Sequence, residues 1–219
     1  MPESAVHRSP VTGRRGRVIG FTVAFGLLGG LLAGCGTSAI YIGTTTQEMF
    51  YKLPNGWKVY NEKTLEHDGV ITGSGPLFES IATSDRSIDP STVPAASHGP
   101  WAEAVVASLS STAQQQVSFS SLNDIFVPVD QLNQQAQGSV SELAQPQLVV
   151  RGGLRGTRIE FQVPSQTGMM SFVQEALVNS PSDKIWALIV GCSSACFNAN
   201  QSEINNIIDS WTVLDKGTS

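Results

Sequence analysis

Charged residues and residues with catalytic chemistry are both scarce in this 219-residue chain. Lys, Arg, Asp and Glu together make up 14% of it, and there are only three histidines and three cysteines. The sequence contains no G-x-S-x-G elbow, H-E-x-x-H helix or Asp-rich calcium loop. Many hydrolases and metal-binding proteins carry one of these motifs, and this sequence carries none of them. The sequence therefore predicts a protein that is not an enzyme and that carries no cofactor or metal.

Basic residues are few, and they are unevenly placed along the chain. Four of the 13 basic residues and one of the 18 acidic residues precede residue 35, which leaves nine basic and 17 acidic residues after it, a formal net charge of −8. An acidic domain repels phosphate backbones, so no nucleic-acid partner is expected. A hydrophobic fraction of 41% and a mean hydropathy near zero indicate a globular domain after the N-terminal segment.

The N-terminus carries the strongest positive signal in the sequence. Residues 1–17 are polar and basic, and residues 18–34 are uncharged and rich in Leu, Val and Phe. The run ends in Leu32-Ala33-Gly34-Cys35, which resembles the lipobox of bacterial lipoproteins at all four positions. The resemblance implies a signal peptide over 1–34, cleavage before Cys35 and lipid on the Cys35 thiol. The protein would then be anchored at the extracytoplasmic face of the cell membrane.

Two other interpretations of this segment stay open. The uncharged stretch continues to Gln47, which is long enough to cross a bilayer as an uncleaved helix. The pair Arg14-Arg15 is compatible with twin-arginine export, although Arg17 stands where that signal usually has Phe. The export route is therefore left undecided.

The remainder of the chain divides into a tether and one domain. The short, uncharged segment 35–46 predicts a lipidated N-terminus and tether, followed by a single domain over 47–215 and a tail over 216–219. Helical spacing predicts one helix from Pro100-Trp101 to Thr112 and another over 200–211. The segment 114–144 is either a short helix or an exposed insertion. Strand patterns occur at 48–53, 57–60, 77–83, 148–150, 157–163, 170–178, 185–190 and 212–214.

The order of these elements predicts the fold class. Turn-length connections link the strands of the C-terminal third, so we expect antiparallel neighbours there rather than crossover units. Strands, a helix, a meander and a closing helix together predict an α+β fold in which helices flank an antiparallel sheet.

Two segments resemble PsbP/Mog1-like domains. The turn Leu53-Pro54-Asn55-Gly56-Trp57 is similar to the P-x-G-W entry of that family, and the meander followed by Ile204-x-x-Ile207-Ile208-x-Ser210-Trp211 is similar to its closing elements. The resemblance covers residues 47 to about 214. It implies an α-β-α sandwich that serves as an accessory or binding module, without a shared catalytic set.

Two cysteines and two histidines after residue 35 are candidate site residues. Cys192 and Cys196 form an even pair once Cys35 carries lipid, and in an oxidising compartment they predict a disulfide. A metal or redox pair is the competing interpretation, although the spacing is not C-x-x-C. His67 and His98 lie in polar segments without a recognisable nucleophile, and we interpret them as exposed loop residues.

Two further features of the sequence have competing interpretations. The segment 151–158 is the one basic cluster, and Arg151, Arg155 and Arg158 could bind an anion or flank an ordinary glycine turn. Core packing is favoured over a ligand platform for the four tryptophans, which are Trp57, Trp101, Trp186 and Trp211.

These observations favour a non-enzymatic lipoprotein of the cell envelope. Its domain would act as an accessory or binding module for an envelope protein complex. One alternative is a carrier of a small or apolar ligand held between sheet and helices. Another is a hydrolase with an unrecognised site.

Overall fold

A seven-stranded antiparallel sheet forms the centre of the computed structural model, which describes residues 39–61, 77–93, 97–129, 131–132 and 140–215. All of these lie in one compact unit, Thr37–Ser219. The strand order is β3-β4-β5-β9-β8-β7-β6. The strands are β3 Lys58–Asn61, β4 Phe78–Thr83, β5 Trp101–Ser108, β6 Ser141–Arg151, β7 Leu154–Ser165, β8 Gly168–Val178 and β9 Lys184–Ser193.

A second, three-stranded sheet lies beside the first. Its order is β1-β2-β10, with β1 over Ala39–Gly43, β2 over Met49–Pro54 and β10 over Thr212–Val213. Both neighbours run antiparallel to β2. Alternate residues of β2 are fully buried, as expected for a strand with one face on a core.

Four α-helices and one 3-10 turn have full bounds within the described residues. They are the 3-10 turn Pro90–Thr92, α1 Ser111–Gln116, α2 Phe119–Asn123, α3 Ser194–Ala199 and α4 Gln201–Ser210. Ser118 and Ser121 form a capping box at the start of α2, since each side chain accepts a hydrogen bond from the other's backbone N–H.

The two faces of the seven-stranded sheet carry separate apolar cores. On one face, here the α4 face, Trp186 and Leu188 pack with β2 and with Ile204, Ile207 and Ile208 of α4. On the other, the α2 face, Phe161, Phe172 and Trp101 form a core beside the smaller cluster around Leu122. All four tryptophans are buried, as the sequence predicted. The α+β class, with helices flanking an antiparallel sheet, is confirmed.

The prediction of a helix from Pro100-Trp101 to Thr112 was wrong. Residues Trp101–Ser108 form β5, and the helix there, α1, starts only at Ser111, behind the N-cap Ser110. The alanines suggested helix propensity, but Ala102 and Ala104 are fully buried on the α4 face, where small side chains let the second layer approach. Tertiary packing overrides local propensity at this position.

The expected tether over 35–46 also needs correction at its C-terminal end. Residues Ala39–Gly43 pair with β2, and Ile42 packs against the core on the α4 face. The folded domain therefore starts before Gln47. The alternation of Ile40, Tyr41 and Ile42 was the available strand signal, because β-branched and aromatic residues favour strands.

Candidate functional site

A cleft opens where the β1–β2 turn meets the ends of β3, β4, β5 and β9 of the large sheet. Its volume is about 500 Å³. We call it the threonine cleft, because three consecutive threonines form one wall. The residues that line it are Gly43, Thr44, Thr45, Thr46, Glu48, Asn61, Leu77, Phe78, Val106 and Lys184.

The wall of the threonine cleft is held in shape by Thr44. Its hydroxyl accepts hydrogen bonds from the backbone N–H groups of Glu48 at 2.9 Å and Met49 at 3.3 Å, and from the Thr46 hydroxyl at 3.2 Å. The Gln47 N–H donates to the Thr44 carbonyl at 2.9 Å, with Gln47 at a φ of 55°. These bonds fix the turn before any ligand is present.

The floor of the cleft is apolar and its rim is polar. Phe78 and Val106 are direct neighbours on β4 and β5, and the Leu77 side chain beside them is 56% exposed. At the rim, the Lys184 ammonium lies 3.1 Å from a Glu48 carboxylate oxygen. An apolar floor with a few polar groups around it suits an apolar side chain or a small amphipathic molecule.

The histidines do not form a catalytic arrangement in the described part of the chain. The His98 side chain is 93% exposed, and its Nδ1 lies 3.5 Å from Asp85. The Ser87 hydroxyl donates to Asp85 rather than to His98, and hydrogen bonds from Ser87 lower the Asp85 pKa. His67 lies outside the described residues. Among those described, no group of three His, Cys, Asp or Glu side chains could hold a metal ion.

Arg151 is partly buried and pairs with a fully buried carboxylate, so it does not form an open anion site. Its guanidinium donates to both carboxylate oxygens of Glu175, whose side chain is completely buried. Its remaining donors reach the carbonyls of Trp211 at 3.2 Å and Ile208 at 3.4 Å. Donation of these hydrogen bonds to Glu175 raises the Arg151 pKa further above its already high value. Arg151 thus caps the C-terminal end of α4, where a cation is favoured.

Of the other two arginines of the cluster, Arg158 contacts α4 as Arg151 does, and Arg155 does not. Arg158 donates to Asp209 at 2.9 Å and to Asn205 at 3.1 Å, both on α4. Arg155 is exposed and, by strand alternation, lies on the α2 face, opposite Arg151 and Arg158. Arg151 and Arg158 therefore both contact α4, whereas Arg155 lies on the opposite face of the sheet.

The glycines between these arginines form a hairpin turn. Gly152 and Gly153 link β6 to β7, with φ angles of 55° and 84°. Two consecutive left-handed residues are what a tight hairpin turn requires, and glycine adopts them without strain.

A half-buried carboxyl on the α2 face was not found from the sequence. Glu103 of β5 is half-buried between Ile81 and Ile189 in the sheet register. Removal from water raises the Glu103 pKa to about 7, and the negative charge of Glu79 raises it further. The only available signal was a single acid in an otherwise apolar strand.

The predicted disulfide between Cys192 and Cys196 is confirmed. Cys192 ends β9 and Cys196 lies in α3, with their Cα atoms 5.9 Å apart. The bond attaches α3 to the sheet and removes both thiols from metal or redox chemistry in this state. Cys35 lies outside the described residues. Within those described, no helix is both long and apolar enough to span a membrane.

Comparison with known proteins gives similarity at the level of structure. No protein-family model matches the sequence, and no curated protein matches it in sequence. The solution structure of CyanoP, the cyanobacterial PsbP of Synechocystis sp. PCC 6803, superposes with a TM-score of 0.52 at 13% identity. The match covers 82% of this chain and 95% of CyanoP. This similarity supports the predicted PsbP/Mog1-like fold.

Two further solved structures are similar at a lower level. LpqN, involved in cell envelope biogenesis of Mycobacterium tuberculosis, gives a TM-score of 0.46 at 10% identity, over 81% of this chain and 91% of that one. The Ran-binding protein Mog1p of Saccharomyces cerevisiae gives 0.44 at 9% identity, over 81% and 96%. Identities this low transfer no function, and these two scores support no further conclusion.

Proposed function

We propose that this protein is an envelope lipoprotein whose domain binds a partner protein at the membrane surface. Residues 1–34 act as the signal peptide, and the mature chain starts at a lipid-modified Cys35. The proposal is supported by the four-residue match Leu32-Ala33-Gly34-Cys35 and by the start of β1 at Ala39. Only three residues then separate the lipid from the fold, so the domain stays close to the bilayer.

The threonine cleft is the observation that carries the binding role. It has a preformed wall, an apolar floor and an exposed Leu77, and such a site can receive an apolar side chain of a partner. The described residues provide no nucleophile with a base, so binding is a better account of the cleft than catalysis.

Cross-linking in intact cells tests the proposal. The full-length protein, its Cys35→Ala variant and its Leu77→Glu variant are compared, with Leu148→Glu as the matched control, because Leu148 is also exposed but lies on β6. We expect the wild type and Leu148→Glu to recover one membrane partner, and both other variants to lose it. Equal recovery by all four proteins would contradict the proposal.

A carrier of a small apolar ligand is the second candidate. The cleft volume of about 500 Å³ lies within the usual range of ligand pockets. Native mass spectrometry of the purified protein separates the two candidates. A bound molecule that is present in the wild type and absent from Leu77→Glu would favour the carrier, whereas an empty protein that still cross-links its partner would exclude it.

A further inference from the structure

The β1–β2 hairpin turns one face of the small sheet outward. Its register pairs Tyr41 with Lys52, while Ile40 and Ile42 point inward with the core-facing side of β2. The outward residues, here called the Tyr41 face, are Ala39, Tyr41, Gly43, Phe50, Lys52 and Pro54.

The chemistry of the Tyr41 face differs from that of the rest of the domain. Tyr41 is 63% exposed, and the Lys52 ammonium lies 5.4 Å from the centre of its ring. None of the six outward residues is acidic, although the chain after residue 34 carries a net charge of −8. Glu203 of α4, which shares a groove with Lys52, marks the boundary of this face. The face therefore combines an amphipathic ring and one cation in an acidic domain.

The length of chain before β1 places this face near the lipid anchor. Cys35 and Ala39 are four residues apart, which spans at most about 14 Å even when fully extended. Acyl chains on Cys35 would sit in the bilayer. The anchor then holds the start of β1 within reach of the lipid headgroups, and the Tyr41 face begins there.

We propose that the Tyr41 face lies on the membrane surface, with anionic lipid headgroups as its partner. This inference rests on the proposed lipid anchor. Tyrosine is favoured at the membrane interface because its ring enters the apolar boundary while its hydroxyl stays hydrated. Lys52 pairs with headgroup phosphates. The contact gives the anchored domain a defined orientation, with α1 and α2 on the side of the large sheet that faces away from the bilayer.

Quenching by brominated lipid tests the orientation on the lipidated, full-length mature protein. Tyr41→Trp keeps an aromatic ring over Lys52, and Gln115→Trp is the matched control on exposed α1. The four native tryptophans are buried and provide the background, which is subtracted using the wild type. In phosphatidylglycerol vesicles, we expect brominated lipid to quench the added tryptophan at position 41 and not the one at position 115.

A second variant tests the charge. Lys52→Gln in the Tyr41→Trp background should lower the equilibrium constant for docking of the Tyr41 face about fivefold in anionic vesicles, since one lysine near an anionic surface contributes about that factor. It should leave that constant unchanged in purely zwitterionic vesicles. A Lys52→Gln effect equal in both lipids would overturn the role assigned to this charge.

The outcomes separate the orientation from the anchor. If the protein floats with vesicles but positions 41 and 115 are quenched equally, the orientation is wrong and the anchor stands. If position 41 instead cross-links a second copy of the chain, the face is a protein interface and the inference is overturned. If the mature protein carries no lipid and does not float, the proposed anchor fails, and this inference fails with it.

Discussion

Arg151 is expected to be the most sensitive single position in the basic cluster. In the Arg151→Ala variant, Glu175 remains fully buried without its partner, and the carbonyls of Ile208 and Trp211 lose a donor. Removal of one partner of a buried ion pair costs about 3–5 kcal/mol of the free energy of unfolding. For a domain of this size, that corresponds to a fall in Tm of about 6–20 °C.

Urea unfolding followed by tryptophan fluorescence measures this loss, and Arg155→Ala is the control. Arg155 lies in the same hairpin but is exposed, so its replacement should change the free energy of unfolding by less than about 0.5 kcal/mol. The double variant Arg151→Met, Glu175→Leu should recover most of the stability, because it leaves no buried charge unpaired. If Arg151→Ala is as mild as Arg155→Ala, the assignment of this ion pair as a structural clamp is refuted.

Three further perturbations test the fold. Glu103→Gln should stabilise the protein above pH 7 and not below about pH 4.5. The Glu103 pKa of about 7 in the folded protein exceeds its unfolded value, so the free energy of unfolding of the wild type falls across that interval by up to about 3 kcal/mol. Parallel curves of stability against pH for the two proteins would contradict this. Gly152→Ala should destabilise more than Gly153→Ala, since a Cβ at Gly152 would clash with the Val213 carbonyl oxygen of β10 and one at Gly153 would meet nothing within 4 Å. Equal losses in thermal unfolding would refute that contact. Replacing Cys192 and Cys196 together by Ala should cost roughly 2 kcal/mol in urea unfolding, and an unchanged midpoint would show that the disulfide contributes nothing.

Strands and one helix were predictable wherever their periodicity was clear. The closing helix, with Ile204, Ile207 and Ile208 on one face, and the C-terminal meander follow directly from residue spacing. The fold class followed from the short connections, because these require antiparallel neighbours.

The wrong predictions fell on segments whose local composition favours a different structure from the one they adopt in the folded domain. Trp101–Ser108 is rich in alanine, and only the two-sided burial of a central strand explains those residues. The strand Ala39–Gly43 was missed because it belongs to a short uncharged segment, which has the composition of a tether, directly after a motif that resembles a lipobox.

The functional residues were harder to foresee, because contacts between distant parts of the chain create them. The threonine cleft joins the β1–β2 turn to Phe78 and Lys184, which are far apart in sequence. The arginines were visible in the sequence, but their partners were not: Arg151 pairs with Glu175, and Arg158 with Asp209. Strand alternation separates Arg155 from Arg158 within β7, but only the register of β6 and β7 places Arg151 on the same face as Arg158.

The intact mass of the protein extracted from membranes tests the lipoprotein proposal most directly. We expect a chain that starts at Cys35 and carries the added mass of a diacylglyceryl group, and we expect the Cys35→Ala variant to lose both that mass and its membrane retention. A mass that includes residues 1–34, or an unmodified Cys35 in the membrane-bound protein, would contradict it.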